Sequence, residues 1–124
     1  MPVSVEVPQN KVQKIPTQRI NERVVVHPNT WYTCPTGKKA VAKGLAVCTG
    51  TGAAANTDLQ ASGVTIRRVL AAGGSADTWQ RVLDPNVTFD FDVRLDAGEI
   101  LQTIQDAGTN AEWELFIEIT ETPA

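Results

Sequence analysis

The stretches 89-FDFDVRL-95 and 112-EWELFIEIT-120 decide the fold. In both, large apolar residues alternate with charged ones, which is the period-two pattern of strands with one buried and one solvated face. The pattern predicts inward side chains that pack opposite one another in a core: Phe89, Phe91, Val93 and Leu95 from the first stretch, and Trp113, Leu115, Ile117 and Ile119 from the second. The intervening acids are predicted to line a solvated face rather than a calcium site or a glycosidase pair: Asp90, Asp92, Glu112, Glu114 and Glu118.

Turn-forming clusters separate further strand-like runs at intervals of about 8–12 residues, the spacing of sandwiches and barrels. A tight turn at 35–37 is predicted to join two strands as a hairpin, and 49–62 to form a surface loop. Strands are predicted at 20–26, 31–34, 40–48, 63–70, 79–83 and 99–105. A helix is the alternative only over 75–83 and 99–105. The sequence therefore predicts an all-β fold, an antiparallel, jelly-roll-like β-sandwich of about seven or eight strands at residues 21–124.

Residues 1–20 are predicted to form an extended N-terminal arm. Pro2, Pro8 and Pro16 block a helix, and the polar residues between them offer little to bury. Alternating valines at the start of the arm suit a short strand at a sheet edge or in a neighbour's sheet: Val3, Val5 and Val7. We expect this segment to leave the domain and contact another subunit.

Charge is distributed unevenly along the chain. The net charge is −3, yet residues 1–40 carry six Lys and Arg against two acids, whereas 41–124 carry five against twelve. This asymmetry favours a basic arm that binds the acidic body of another copy or a separate acidic surface, with a solvated charge pattern as the alternative. The residues predicted to form an interface are Val3, Val5, Val7, Lys11, Lys14, Arg19, Trp31 and Trp79.

Composition narrows the class of protein. The chain has 124 residues, 42% hydrophobic and 20% charged, which is typical of one ordinary globular domain. No apolar run reaches membrane-spanning length, and the N-terminus lacks the features of a secretion signal, so we expect folding in a cytoplasm without a membrane partner. A net acidic domain is also a poor nucleic-acid ligand.

Groups able to carry chemistry are sparse. The single histidine, His27, ends a strand and has no nucleophile and third group near it in sequence. The glycines lack the neighbours of a phosphate-binding loop. Cys34 and Cys48 are expected to be buried thiols rather than a disulfide or a zinc site. The sequence thus predicts no catalytic residue, no cofactor and no metal.

Two segments carry a family resemblance. Residues 29–41, NTWYTCPTGKKAV, and 95–103, LDAGEILQT, resemble turn motifs of small β-sandwich proteins of tailed-bacteriophage particles. The resemblance implies a non-enzymatic virion protein: a capsid decoration (cement) protein that stabilises a phage head through symmetric subunit contacts. It also implies a homo-oligomer, with a trimer expected, the major capsid protein or other virion proteins as partners, and location in the virion after synthesis in the host cytoplasm.

Two alternatives stay open. One is a phage fibre or a tail or neck adaptor subunit. The other is a carbohydrate-binding β-sandwich module with glycan as its ligand, because sugar-binding faces need exposed planar aromatics. The candidates for such a platform are Trp31, Tyr32, Trp79 and Trp113, although the alternation assigns Trp113 to the core.

Overall fold

The computed structural model describes residues 17–52, 54, 56–70, 82–83, 85–106, 108 and 110–124. Within these ranges the secondary structure consists of strands and turns, so the predicted all-β fold is confirmed. The strands are β1 (Gln18–Val24), β2 (Asn29–Thr33), β3 (Lys38–Gly50), β4 (Asn56–Ala61), β5 (Val64–Leu70), β6 (Val82–Leu83), β7 (Phe89–Leu95), β8 (Ile100–Gln105) and β9 (Glu112–Pro123).

Two sheets pack face to face and enclose the core, as expected of a β-sandwich. The first sheet has the order β1-β9-β3-β7, and the second has the order β2-β8-β4-β5-β6. Neighbouring strands are antiparallel except for the short β5–β6 pair, which is parallel. The segment 99–105, for which a helix was the alternative, contributes the strand β8.

The inward faces of β7 and β9 match the alternation in the sequence. Trp113, Leu115, Ile117 and Ile119 are almost completely buried, Phe89, Phe91 and Leu95 are buried, and Val93 is partly buried against the same cluster. The two sets do not lie opposite each other, however, because β3 pairs with both strands and separates them. That part of the prediction is wrong: the alternation reveals which face is buried but not which strand is the neighbour.

The central strand β3 directs small residues into the core. Its inward positions, read from the register with β7 and β9, are Ala40, Ala42, Gly44, Ala46 and Cys48. Large side chains from the two flanking strands close over these positions. Phe89 and Trp113 meet edge to face there, with ring centroids 6.1 Å apart, an arrangement that aromatic quadrupoles favour.

The turn at 35–37 does not form the predicted hairpin. The amide of Lys38 donates to the carbonyl of Pro35 at 3.2 Å, and Gly37 has a φ of 79°, so the local turn chemistry is present. The strands on either side belong to different sheets, since β2 pairs with β8 whereas β3 pairs with β7 and β9. The turn therefore carries the chain from one sheet to the other.

Part of the predicted loop at 49–62 is the strand β4. Thr57 and Asp58 are buried within it although both are polar. Thr57 is hydrogen-bonded by the distant Trp113, and Asp58 is bound by Thr65 and Arg68 of the next strand, β5. These bonds remove the usual cost of burying a polar group. They depend on the pairing of strands, which residues 49–62 alone do not reveal.

The first strand starts inside the predicted arm. β1 begins at Gln18, and Ile20 belongs to the core cluster. The amide of Thr17 also donates to the carbonyl of Ile119 at 2.6 Å. Residues 18–20 are therefore part of the first sheet rather than of an arm. The rest of the predicted arm, including Val3, Val5, Val7, Lys11 and Lys14, lies outside the described residues.

Candidate functional site

The aromatic residues considered for a sugar platform are mostly buried. Trp31 is 7% exposed, and Tyr32 and Trp113 are buried as well. A bulge between Thr30 and Tyr32 in the β2–β8 ladder accompanies the burial of two consecutive aromatic residues. A buried Trp31 does not supply the exposed ring that a sugar platform needs, and its assignment to an interface stays a prediction. Trp79 lies outside the described residues.

Each of these aromatics satisfies its polar atom inside the protein. The indole nitrogen of Trp31 donates to Thr103 Oγ1 at 3.0 Å, and that of Trp113 donates to Thr57 Oγ1 at 2.8 Å. Tyr32 donates its hydroxyl to the Glu121 carboxylate at 2.6 Å. Burial and this acidic neighbour raise the pKa of Tyr32. The proton of each of the three polar groups is therefore donated within the protein.

His27 closes one end of the sandwich through both ring nitrogens. Its Nε2 lies 2.6 Å from the carbonyl oxygen of Ala111, and its Nδ1 lies 2.8 Å from Thr103 Oγ1. A carbonyl can only accept, so Nε2 carries the proton. In the neutral ring, Nδ1 then accepts from the Thr103 hydroxyl, which itself accepts from Trp31. Burial lowers the pKa of His27, in agreement with this neutral tautomer.

The Thr103–His27 pair has the bond pattern of a nucleophile and its base. Thr103 is 0% exposed, however, so a substrate has no access to its hydroxyl in this structure. The geometry fits a hydrogen-bonded clamp between the β1–β2 connection, β8 and the start of β9. It brings together residues that are far apart in the sequence.

Both cysteines are buried and free, which confirms the prediction of buried thiols. Burial raises the pKa of Cys34, and it raises the pKa of Cys48 to about 11. Both thiols therefore have little thiolate character near neutral pH, which is the opposite of a reactive cysteine.

A buried ion pair in the second sheet was not predicted. Arg68 donates from Nε and Nη2 to the two carboxylate oxygens of Asp58 at 2.8 and 2.9 Å, and Thr65 donates its hydroxyl to the same carboxylate at 3.1 Å. Asp58 is 2% exposed. Such a two-point pair fixes the geometry of β4 against β5. Because both charges are engaged with each other, we interpret it as structural.

Two exposed apolar side chains meet on the solvent side of the first sheet, which we call the outer face. Leu45 is 51% exposed and Phe116 is 42% exposed, and the two residues lie directly opposite each other in the β3–β9 register. Most neighbours of this apolar pair are charged, and the others include Asn21 and Val47. The outer face comprises Arg19, Asn21, Arg23, Val41, Lys43, Leu45, Val47, Asp90, Asp92, Arg94, Glu114, Phe116, Glu118 and Thr120.

The predicted acidic face and the outer face are the same surface, but the surface is not purely acidic. Asp90, Asp92 and Glu114 are exposed as expected. Basic residues lie among them, because the sheet order brings β1 beside β9 and Lys43 beside Asp92. The apolar pair was also missed, although Phe116 interrupts the acidic alternation of β9 and could have signalled it.

Two ion pairs join β1 to β9 on this face. Arg19 Nε lies 3.3 Å from Glu118 Oε2, so a residue predicted to contact another subunit binds a glutamate of its own sheet. Arg23 pairs with Glu112, which also accepts from the hydroxyl of Thr49. The Thr49 hydroxyl, together with Arg23, lowers the pKa of Glu112. Arg19 and Arg23 remain more than half exposed and retain donors for further partners.

The part of the chain that the structure describes contains no group of three or more His, Cys, Asp or Glu placed to hold a metal ion. It also contains no helix with the length and hydropathy needed to cross a membrane. No family model matches the chain, no curated protein has significant similarity to it, and no solved structure matches it significantly.

Proposed function

We propose that this chain is a non-enzymatic structural subunit of a virion, a capsid decoration protein that assembles by symmetry on a phage head. The observation that carries the proposal is the outer face, where Leu45 and Phe116 are exposed side by side on neighbouring strands. An apolar centre with a charged rim is the usual composition of a protein-contact surface. A β-sandwich that presents such a face is suited to building an assembly.

The assignment to decoration proteins is supported by the two segments that resemble them. Residues 29–41 and 95–103 are distant in sequence but adjacent in the fold. The amide of Cys34 donates to the carbonyl of Glu99 at 2.9 Å, and the amide of Gly98 donates to the carbonyl of Cys34 at 2.8 Å. The two motifs thus form one unit at a single end of the sandwich, as parts of a shared family feature would.

Residues 1–16 supply the second contact in this proposal. They carry the alternating valines and Lys11 and Lys14, and they precede an edge strand of the first sheet. An added strand binds through main-chain hydrogen bonds, which suits attachment to a neighbouring subunit or to the major capsid protein. A protein that binds only the assembled head stabilises it by mass action.

Co-sedimentation with phage heads tests the proposal. The heads are assembled from the major capsid protein of the same genome, and they are mixed with the full chain or with a variant lacking residues 1–16. That variant keeps all of β1, which begins at Gln18. We expect the full chain to bind the heads and raise their disruption temperature, and the shortened variant to stay folded but unbound.

Two results would overturn the proposal. One is a full chain that does not bind heads at micromolar concentration. The other is specific binding of the purified chain to a glycan array, which would support the carbohydrate-binding alternative.

A further inference from the structure

We propose that the outer face binds the outer face of a second copy of this chain, around a two-fold axis that runs parallel to the strands. This inference names the partner of the face on which the proposed function rests. It is carried by the order of charges across the sheet, which the strand register fixes.

Cross-strand neighbours on the outer face form rows that run from β1 through β9 and β3 to β7. One row reads Arg19, Glu118, Lys43, Asp92, so its charges alternate as positive, negative, positive, negative. The next row reads Asn21, Phe116, Leu45, Asp90. It has the apolar pair in the middle and a polar residue at each end.

A two-fold axis that runs parallel to the strands, between β9 and β3, places each row opposite the same row of the second copy in reversed order. β1 then faces β7, and β9 faces β3. In the charged row, Arg19 of one copy then faces Asp92 of the other, and Lys43 faces Glu118. Every charge in the row meets the opposite sign. Because the axis generates each pair twice, one such row supplies four complementary contacts, and this self-complementarity is what an isologous interface requires.

The same operation matches the neighbouring row. Leu45 of one copy faces Phe116 of the other, so the two most exposed apolar side chains of the sheet cover each other. Asn21 faces Asp90 and can donate its amide to that carboxylate. The apolar centre of this row and its two polar ends are thus both matched by a second copy.

A two-fold axis perpendicular to the strands gives the opposite result. It would place β1 opposite β1 and β9 opposite β9 of the second copy. The row on one side of Leu45 and Phe116 would then face the row on their other side. Arg23 would then face Arg19, and Glu114 would face Glu118. Like charges in contact oppose association, so the charge pattern selects the parallel axis.

The size of the face sets the expected strength. Four strands spaced about 4.8 Å apart and seven residues rising about 3.4 Å each give a patch of about 19 by 24 Å. Its area of about 450 Å² per copy lies below the roughly 800 Å² per partner of a standard stable interface. We therefore expect a dimer that forms in the micromolar concentration range rather than a permanent one.

Mixing two charge-reversal variants tests the pairing of Arg19 with Asp92. These residues lie on opposite edges of the same sheet, about 14 Å apart across three strand spacings, so their direct coupling within one chain is weak at physiological salt. In full-length Arg19→Asp, two acids face each other across the axis. In full-length Asp92→Arg, two arginines face each other.

Each variant alone is expected to dimerise at least tenfold more weakly than the unmodified chain in sedimentation velocity. An equimolar mixture is expected to recover the association, because the mixed dimer has opposite charges in both contacts. In one contact, the aspartate introduced at position 19 faces the arginine introduced at position 92. In the other, Asp92 of the first variant faces Arg19 of the second.

Lys39→Asp is the matched control for these variants. It makes the same charge reversal as Arg19→Asp, and Lys39 is exposed near the start of β3, outside the residues of the outer face. The variant is therefore expected to sediment like the unmodified chain.

The inference is overturned if the single variants associate as well as the unmodified chain, or if mixing them restores nothing. Residues 1–16 are present in every sample, so association through them contributes equally throughout. Failure of the proposed function is recognised separately, because heads are absent from this experiment. If mixing the variants restores association but the chain does not bind heads, the two-fold contact stands and the virion role is refuted.

Discussion

Replacing Gly44 with alanine is expected to force β3 away from β9. Gly44 lies opposite Ile117 in the register of the two strands. An added β-carbon would lie 1.8 Å from the carbonyl oxygen of Phe116 and 2.9 Å from its carbonyl carbon. The obstructing atoms belong to the backbone of β9, so no side-chain rotation can relieve the clash.

The cost follows from the displacement required. Ordinary contact with a β-carbon begins near 3.4 Å, so the strands must separate locally by more than an ångström against a spacing of about 4.8 Å. Overpacking typically costs about 1–3 kcal/mol and occasionally more, and a backbone obstacle places Gly44→Ala at about 3 kcal/mol or above. At about 4 °C per kcal/mol, the midpoint of thermal unfolding should fall by about 12 °C.

Gly50→Ala is the matched control for this experiment. Gly50 ends the same strand, and an added β-carbon there meets nothing within 4 Å. Losing a glycine restricts the unfolded chain, so this variant should be neutral or stabilised by up to about 1 kcal/mol. Both midpoints are measured by circular dichroism at one protein concentration. Equal midpoints for the two variants would refute the close approach of β3 to β9.

Three further predictions concern the core, the histidine clamp and the thiols. Trp113→Ala should lower the free energy of unfolding, measured with denaturant, by about 3–5 kcal/mol, because it removes a buried ring and leaves the Thr57 hydroxyl without its donor. Glu114→Ala changes an exposed residue and should alter that free energy by less than about 0.5 kcal/mol. The pKa of His27 is lowered from 6.5 in the folded state, so neutral His27 stabilises the fold above pH 6.5. This stabilisation is lost as the pH falls through the pKa of the folded protein. Over that range, the midpoint of unfolding should drop more for the unmodified chain than for His27→Gln. Cys34 and Cys48 should react with a thiol reagent at about pH 8 only after denaturation, since burial excludes the reagent. A pKa of about 11 also leaves Cys48 with about 100-fold less thiolate than a cysteine with the ordinary pKa of 9.0.

Each of these has a contrary result. Equal stability of the Trp113 and Glu114 variants would mean that β9 is shifted by one residue, which exchanges its buried and exposed faces. Parallel pH profiles for the unmodified chain and His27→Gln would mean that the histidine is not held neutral. Rapid labelling of two thiols in the native protein would mean that the cysteines are accessible.

The sequence predicts the parts of this fold that depend on one strand at a time. The burial of alternate residues in β7 and β9 follows from a period of two, which is a property of the strand itself. The sheet to which a strand belongs is a property of the whole fold. The turn at Pro35 therefore resembled a hairpin, although Trp31 and Tyr32 before it pack in the other sheet.

The burial of polar residues in β4 could not be predicted from the sequence for the same reason. Thr57 and Asp58 make residues 56–61 look like a loop, yet their partners are Trp113 and Arg68. The outer face was recognised by its acids alone. Its alternating charges became visible only when the sheet order placed Arg19 beside Glu118 and Lys43 beside Asp92.

The small inward residues of β3 limit how the sequence can change over evolutionary time. Ala42 is completely buried and lies between Ile119 on one side and Val93 on the other. The three side chains share one volume, so a larger residue at 42 fits only if 93 or 119 becomes smaller in the same lineage. Relatives of this protein should therefore show covariation across the row rather than independent variation at each position.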